Sequence, residues 1–263
     1  MIPISQLLGY NPIDIHSHFD HGATGDWHEI ASPPSKNVHI ATLDFLRKQY
    51  DSVGIRCGAF STFSSCYRCD TVSVENVYLK SIAETVDWVY QWAVIDPRQE
   101  ETFRQAEQLL PLPKTLGIKI HPKLHEYTLA EYGDTIFSFA NEKGAVILTH
   151  PENFSDMVSL ADKYPNIKLI IAHLGTDSFI DAIAASKHKN IYTDTSGSAS
   201  HLNNIIERAV DRVGADRILF GTDTYSAAFQ LGRITWADID DHAKRQILLD
   251  NALELFPNAF TGW

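Results

Sequence analysis

The sequence predicts a TIM (β/α)8 barrel, and three observations carry that expectation. Short β-branched apolar runs alternate with helical patterns, which is the rhythm of βαβ units around a parallel sheet. Eight such pairs can be counted along the chain. The 263 residues are about what one barrel of this kind needs, so residues 1–263 are expected to form a single barrel domain.

The strands are predicted at 13–18, 52–60, 86–95, 116–121, 145–150, 167–173, 191–194 and 218–223. Helical patterns lie between them at 42–50, 74–84, 100–110, 129–143, 155–163, 179–187 and 202–213, and a last helix is predicted over 236–256. Pro165-Asn166 and Gly214-Ala-Asp216 are helix-to-strand breaks. Trp88, Tyr90 and Trp92 alternate along the third strand, as one packed face requires. Two long loops are expected, 19–37 after the first strand and 61–73 after the second, where barrel enzymes build their sites. The competing architecture, an open doubly wound sheet, lacks its glycine-rich dinucleotide fingerprint: Gly54 and Gly58 do not match the spacing.

Composition narrows the function. Lys plus Arg is 22 and Asp plus Glu is 33, a net charge of −11. Basic residues are outnumbered and scattered, which argues against a nucleic-acid partner. No run of about 18 apolar residues exists to span a membrane. The first ten residues have neither a basic segment nor a long apolar core, so no signal peptide is expected. Three cysteines, Cys57, Cys66 and Cys69, are too few for a disulfide framework, and the Cys66-x-x-Cys69 pair has no second pair beside it. Structural thiols in a reducing cytoplasmic compartment are expected.

The strand ends carry the chemistry. The first strand ends Asp14-Ile-His16-Ser-His18, and residues two apart on a strand point the same way. The fifth ends at His150, the sixth at His173 and the eighth at Asp223. A parallel barrel gathers these ends in a ring. Burying four such polar ends unpaired would cost roughly 1–3 kcal/mol each. They therefore read as a ligand set for a divalent ion, with Zn²⁺ the first choice and Mn²⁺, Fe²⁺ or Co²⁺ as alternatives. His39, His188 and His242 lie in helical or surface contexts and read as ordinary residues. There is no Ser-His-Asp elbow around Gly197-Ser198 and no phosphate-binding loop.

These pieces resemble the amidohydrolase superfamily, within it the amidohydrolase-2 group of metal-dependent barrel hydrolases and decarboxylases. The matching segments are Asp14-Ile-His-Ser-His18, Gly117-Ile-Lys-Ile-His-Pro122, Thr149-His150-Pro151, Ala172-His173-Leu174-Gly175, Leu219-Phe-Gly-Thr-Asp223 and Asp250-Asn-Ala-Leu-Glu-Leu-Phe256, in the group's order. The resemblance implies that His16, His18, His150 and Asp223 bind the metal. It implies that His173 is a second-metal ligand or an acid/base, and that Asp223 also takes a proton from water. It makes Lys119 a candidate carbamylated bridge between two ions, or else an inward lysine paired with Asp223 or a substrate carboxylate.

Bound divalent ions lower the pKa of water from about 15.7 towards about 7 and polarise carbonyls. The expected activity is hydrolysis of an amide, ester or lactone in a small, carboxylated substrate. The alternative is a lyase, a non-oxidative decarboxylase or hydratase of an aromatic-derived acid. Arg68, Arg98 and His121, with Lys123 and His125, fall near strand ends and suit an anionic substrate. His21 and His28 in the first long loop could reach the same mouth. Asp96-Pro97 is read as structural. A homodimer is the expected assembly.

Overall fold

The computed structural model describes residues 9–19, 22–24, 40–198 and 202–262. Eight parallel strands run in sequence order around a nearly closed barrel: β1 (Ile13–Phe19), β2 (Cys57–Thr62), β3 (Val89–Val94), β4 (Thr115–Ile120), β5 (Val146–Thr149), β6 (Lys168–Ile171), β7 (Ile191–Asp194) and β8 (Ile218–Leu219). Helices pack outside: α1 (Leu43–Val53), α2 (Phe63–Tyr67), α3 (Val72–Thr85), α4 (Glu100–Leu109), α5 (Leu129–Lys143), α6 (Phe154–Lys163), α7 (Asp177–Ala185), α8 (Ile205–Val213) and α9 (Ala227–Thr235). The TIM barrel read from the sequence is the fold. Among the described residues no helix is long and apolar enough to cross a membrane.

The larger core lies between sheet and helices, where outward strand residues such as Ile118, Ile147, Leu169 and Ile171 meet helical Ile136, Phe137 and Ile180. A second core fills the barrel itself with Ile13, Ile15, Tyr90, Trp92, Leu148 and Ile170. Its floor is sealed by the C-terminal segment: Phe260 packs on Tyr90 with ring centroids 4.8 Å apart, and Phe256 on Trp92 at 5.8 Å.

Several elements differ from expectation for local reasons. The second strand begins at Cys57, because residues 52–53 finish α1, which Gly54 ends in the left-handed conformation (φ 78°). The segment expected as a loop over 61–73 is helical, α2 followed by a tight turn and the start of α3; Thr62 caps α2 by accepting from Ser65 N. The last predicted helix is broken. α9 ends at Thr235, before it; within 236–256 the chain is helical only from Asp241, with Asp240 as cap, and contains a wide π-type turn over Gln246–Asp250.

Two features of β1 set up the site. The β1–β2 register slips between Asp14/Gly58 and Ser17/Phe60, so β1 carries one extra residue. Strict alternation from Ile13 and Ile15 would turn His16 and His18 outward; the bulge turns them in. Asp14, fully buried, points the other way. Its Oδ1 accepts from His16 N at 3.0 Å and Thr222 N at 3.2 Å, and its carboxylate takes the hydroxyls of Tyr50 and Thr222. Burial pushes its pKa up to about 7 despite these four donors. β8 ladders with β7 over only two residues, and the barrel closes through backbone bonds from the chain beyond it. Ile15 N donates to Phe220 O (3.0 Å), Thr222 N and Asp223 N to His16 O (3.0 and 2.7 Å), and His18 N to Asp223 O (3.3 Å).

Replacing Asp14 with Ala strands Tyr50 Oη, the Thr222 hydroxyl and two backbone N–H groups. A loss of about 3 kcal/mol or more is expected in urea unfolding. A loss below about 1 kcal/mol would mean that Asp14 does not hold this seam.

Candidate metal centre and active site

At the C-terminal mouth of the barrel four imidazoles and a carboxylate converge. One ligand atom each from His16, His150 and His173 lies within 4.8 Å of the others, and the same holds for His16, His18 and Asp223. His16 belongs to both groups. Its ring centroid is 5.4 Å from His18, 6.1 Å from His150 and 5.0 Å from His173. His173 and His150 face each other Nε2 to Nε2 at 3.4 Å, and Asp223 Oδ1 is 3.5 Å from His18 Nε2. His173 and Asp223 both sit at positive φ (71° and 59°), a conformation that non-glycine residues hold mainly where the surroundings require it.

The outer nitrogens of three of these rings, His16, His173 and His18, are occupied. His16 Nδ1 is 2.9 Å from Asp194 Oδ2 and 3.0 Å from Ser196 Oγ. His173 Nδ1 is 2.9 Å from the same hydroxyl. His18 Nδ1 reaches Ser61 O at 3.0 Å, with Ser61 Oγ and Cys66 Sγ beside it. Asp194 and Ser196, at the end of β7, were not singled out by the sequence reading, although Asp194 ends a predicted strand in the same way as His150 and Asp223 do. Gly197 follows them at φ 75°, and a Cβ there would lie 2.6 Å from His173 Nδ1, so only glycine admits the ring.

Electrostatics favour neutral imidazoles. Burial, reinforced by the Lys119 charge, pushes His16 down to about 4 and His18 well below the ordinary histidine range. Burial does the same to His121 and His150. Burial alone would raise Asp194, but attraction to the His16 ring and the hydrogen bonds it accepts from His16 and Ser196 overcome that and hold it well below the usual carboxylate range.

His16 Nε2 is buried with no hydrogen-bond partner, and it points where both ligand groups meet. A buried orphan nitrogen among neutral imidazoles and a carboxylate fits a divalent cation.

The remaining predicted residues separate. Lys119 is fully buried, with Nζ 3.2 Å from His18 Nε2, and burial lowers its pKa. His121 is fully buried beside His150 (centroids 4.6 Å), and both its ring nitrogens lack partners. Arg68 and Arg98 are spent locally. Arg68 Nε donates to Asp70 at 3.0 Å; Arg98 donates to Asp96 at 2.8–2.9 Å and to His125 O at 2.6 Å. An acid two residues away from each arginine was the sequence signal for this. His21, His28 and His39 lie outside the described residues.

Above the cluster opens a cavity of about 650 Å³. His150, His173 and Asp223 lie on its floor; Leu124, Phe179, Leu202 and Tyr225 line its walls, with Lys123 at one side.

The Amidohydrolase family model matches residues 13–257. The chain belongs to the amidohydrolase family. No curated protein matches this amidohydrolase at comparable significance. Its fold is shared with solved structures of low identity. One is 5-carboxyvanillate decarboxylase from Sphingomonas paucimobilis, with 13% identity, TM-score 0.75, and 94% of this chain and 99% of that chain covered. Another is dihydroxybenzoic acid decarboxylase from Polaromonas sp. JS666, solved with manganese and the inhibitor 2-nitroresorcinol, with 16% identity, TM-score 0.70, and 94% and 97% covered. A third is 2,6-dihydroxybenzoate decarboxylase from Rhizobium, with 16% identity, TM-score 0.70, and 94% and 99% covered.

The depressed imidazole pKa values have a stability consequence. Their contribution is present above about pH 6.5, the ordinary histidine value, and is lost as pH falls through the folded values. For His16, pushed down to about 4, the swing is about 3 kcal/mol. Asp14 runs the other way, losing stability as pH rises through about 7, but the depressed rings of His16, His18, His121 and His150 outnumber it. The urea midpoint of metal-free protein should therefore fall between pH 7 and pH 4.5. Saturating Mn²⁺ should raise it at pH 7 and raise it less in acid. A midpoint that is flat with pH and indifferent to metal would overturn the reading.

Proposed function

We propose that this amidohydrolase is a metal-dependent, non-oxidative decarboxylase of a small aromatic acid. The observation that carries the reading is the cavity: apolar, aromatic-edged walls above a floor of polar, ligand-type side chains. Its volume is within the range of small-molecule sites. The aromatic-acid decarboxylases among the solved structures of this fold support the choice over the hydrolysis that the motifs alone suggested.

His16, His18, His150 and Asp223 would hold the ion, with Mn²⁺ favoured by the manganese in a structural neighbour and Zn²⁺ the alternative. When bound, the ion would supply a Lewis acid for the substrate's oxygens. The chain's own residues do the rest. Phe179, Leu202 and Tyr225 hold the ring and exclude water. Asp223, 16% exposed in its side chain, faces the cavity, takes up the acidic proton that the substrate gives up on binding and hands it to the ring carbon that bears the carboxylate. The carbon–carbon bond breaks, its electron pair stays on that carbon and takes the proton, and CO₂ leaves without consuming water. His173, also facing the cavity, orients the carboxylate or relays the proton. Lys123 rather than Arg68 or Arg98 is the cation on the cavity wall among the described residues. His121, fully buried beside His150, does not line the cavity.

Hydrolysis is the second reading. The observation favouring it is Lys119, a buried amine beside His18 that would bridge two ions if carbamylated.

The test is product analysis of Mn²⁺-loaded protein with hydroxybenzoates and carboxylated phenols, against a panel of lactones and amides. Release of CO₂ with one equivalent of the decarboxylated phenol supports the proposal; turnover confined to lactones or amides overturns it. Asp223→Asn should lower kcat by at least about 100-fold. The fold should be kept, since asparagine tolerates the left-handed backbone there. Full activity in that variant would remove Asp223 from the chemistry.

A further inference from the structure

We propose that Asp194 and Ser196 act as positioning residues that set the proton tautomers of His16 and His173, so that His16 offers Nε2 to the ion and His173 presents an unprotonated Nε2 beside His150 at the cavity. The inference rests on the proposed metal seat and not on the choice of substrate.

The argument is a count of protons. Asp194 is fully buried and its two oxygens accept from four donors. Oδ1 takes His173 N at 3.2 Å, Ser196 N at 2.8 Å and the Ser196 hydroxyl; Oδ2 takes His16 Nδ1 at 2.9 Å. A carboxylate is acceptor-only, so His16 must carry its proton on Nδ1. Ser196 has one hydroxyl proton and three neighbours within reach, the Asp194 carboxylate, His173 Nδ1 and His16 Nδ1, and the last is already a donor, so two claimants remain. The charged acceptor wins. The Ser196 oxygen is then left to accept, and His173 must also carry its proton on Nδ1. Both Nε2 atoms are bare. This agrees with His16 Nε2 having no partner and with His173 Nε2 facing His150.

Asparagine at 194 breaks the count. It has one acceptor oxygen and one amino group in place of two acceptors. Three donors, two of them backbone N–H groups that cannot turn away, keep the oxygen on the Ser196 side. The amino group then faces His16 Nδ1, which must become an acceptor. His16 is forced into its Nε2–H tautomer, and the nitrogen meant for the metal is protonated. Backbone hydrogen bonds are kept, so a packing role alone predicts no such switch.

The experiment uses metal-free protein labelled with ¹⁵N-histidine. Two-bond ¹H–¹⁵N spectra at pH 7.5 report each ring's tautomer, with signals assigned by His16→Gln and His173→Gln. Wild type should show His16 and His173 as Nδ1–H. Asp194→Asn should switch His16 to Nε2–H and weaken Mn²⁺ binding, titrated by electron paramagnetic resonance, about 10–100-fold. Ser196→Ala should remove the bias of His173 and leave that of His16. The proposal is overturned if wild-type His16 is Nε2–H, or if Asp194→Asn leaves both its tautomer and the Mn²⁺ affinity unchanged. Should Asp194→Asn not fold, Ser196→Ala decides alone: loss of bias at His173 only supports the proposal, and any other pattern overturns it. No substrate enters these readouts, so they stand apart from the decarboxylase reading.

Discussion

The molecule depends on the seam where β1 meets the chain beyond β8. Eight strands make a barrel only if the first and last join, and β8 proper is too short to do it. The join is made by Ile15, His16 and His18 on one side and Phe220, Thr222 and Asp223 on the other. Three of these six residues carry side chains of the candidate ligand cluster. Closing the sheet and assembling the site are therefore one event. Asp14 secures it from outside by holding the backbone N–H of His16 and of Thr222 on a single oxygen. The extra residue in β1 is part of the same device: a regular strand would close the barrel as well, but with its histidines turned away from the mouth.

That arrangement carries a standing electrostatic cost. His16, His18 and His121 are buried at the mouth, His150 is half-buried, and a fully buried lysine stands among them. Burial and mutual repulsion push the charged forms away, so the cluster is compatible with the fold only while the rings are neutral. Two carboxylates face it: Asp194, already committed to four donors, and Asp223, which looks into the cavity. A core of this kind is less stable than an apolar one of the same volume, and such departures collect where function requires them. Neutral nitrogens with a nearby carboxylate are what a divalent cation needs, so the feature that weakens the empty site prepares the occupied one.

Much of this was legible in the sequence, for a physical reason. Strand ends in a parallel barrel must lie in a ring, so His16, His18, His150, His173 and Asp223 could be placed together from order alone. What depends on register was not legible. The β1 bulge appears only when β1 is laid against β2, since Asp14-Ile-His-Ser-His reads as plain alternation. Asp194 and Ser196 act through rings on β1 and β6, partners set by which side chains of β7 turn inward rather than by any local pattern. Arg68 and Arg98 show the reverse case. Their charge suggested a substrate, but Asp70 and Asp96, two residues away, satisfy them more cheaply than any distant anion. The broken last helix has a similar origin, because the tail must bend under the barrel to bring Phe256 and Phe260 against Trp92 and Tyr90.

The division between strand ends and loops also explains why the motifs and the cavity point to different reactions. In the proposed function the floor of the cavity, His150, His173 and Asp223, would hold an ion and move a proton, and both hydrolysis and decarboxylation require that. What separates them is the wall. Leu124 follows β4, Phe179 lies on α7 after β6, Leu202 follows β7 and Tyr225 follows β8. None of these four takes part in closing the barrel, so each is free to vary while the polar floor stays fixed. A hydrolase needs a path for water to the reacting carbon. An apolar wall over a proton donor instead favours a reaction in which a ring carbon takes a proton and water is a competitor to be excluded.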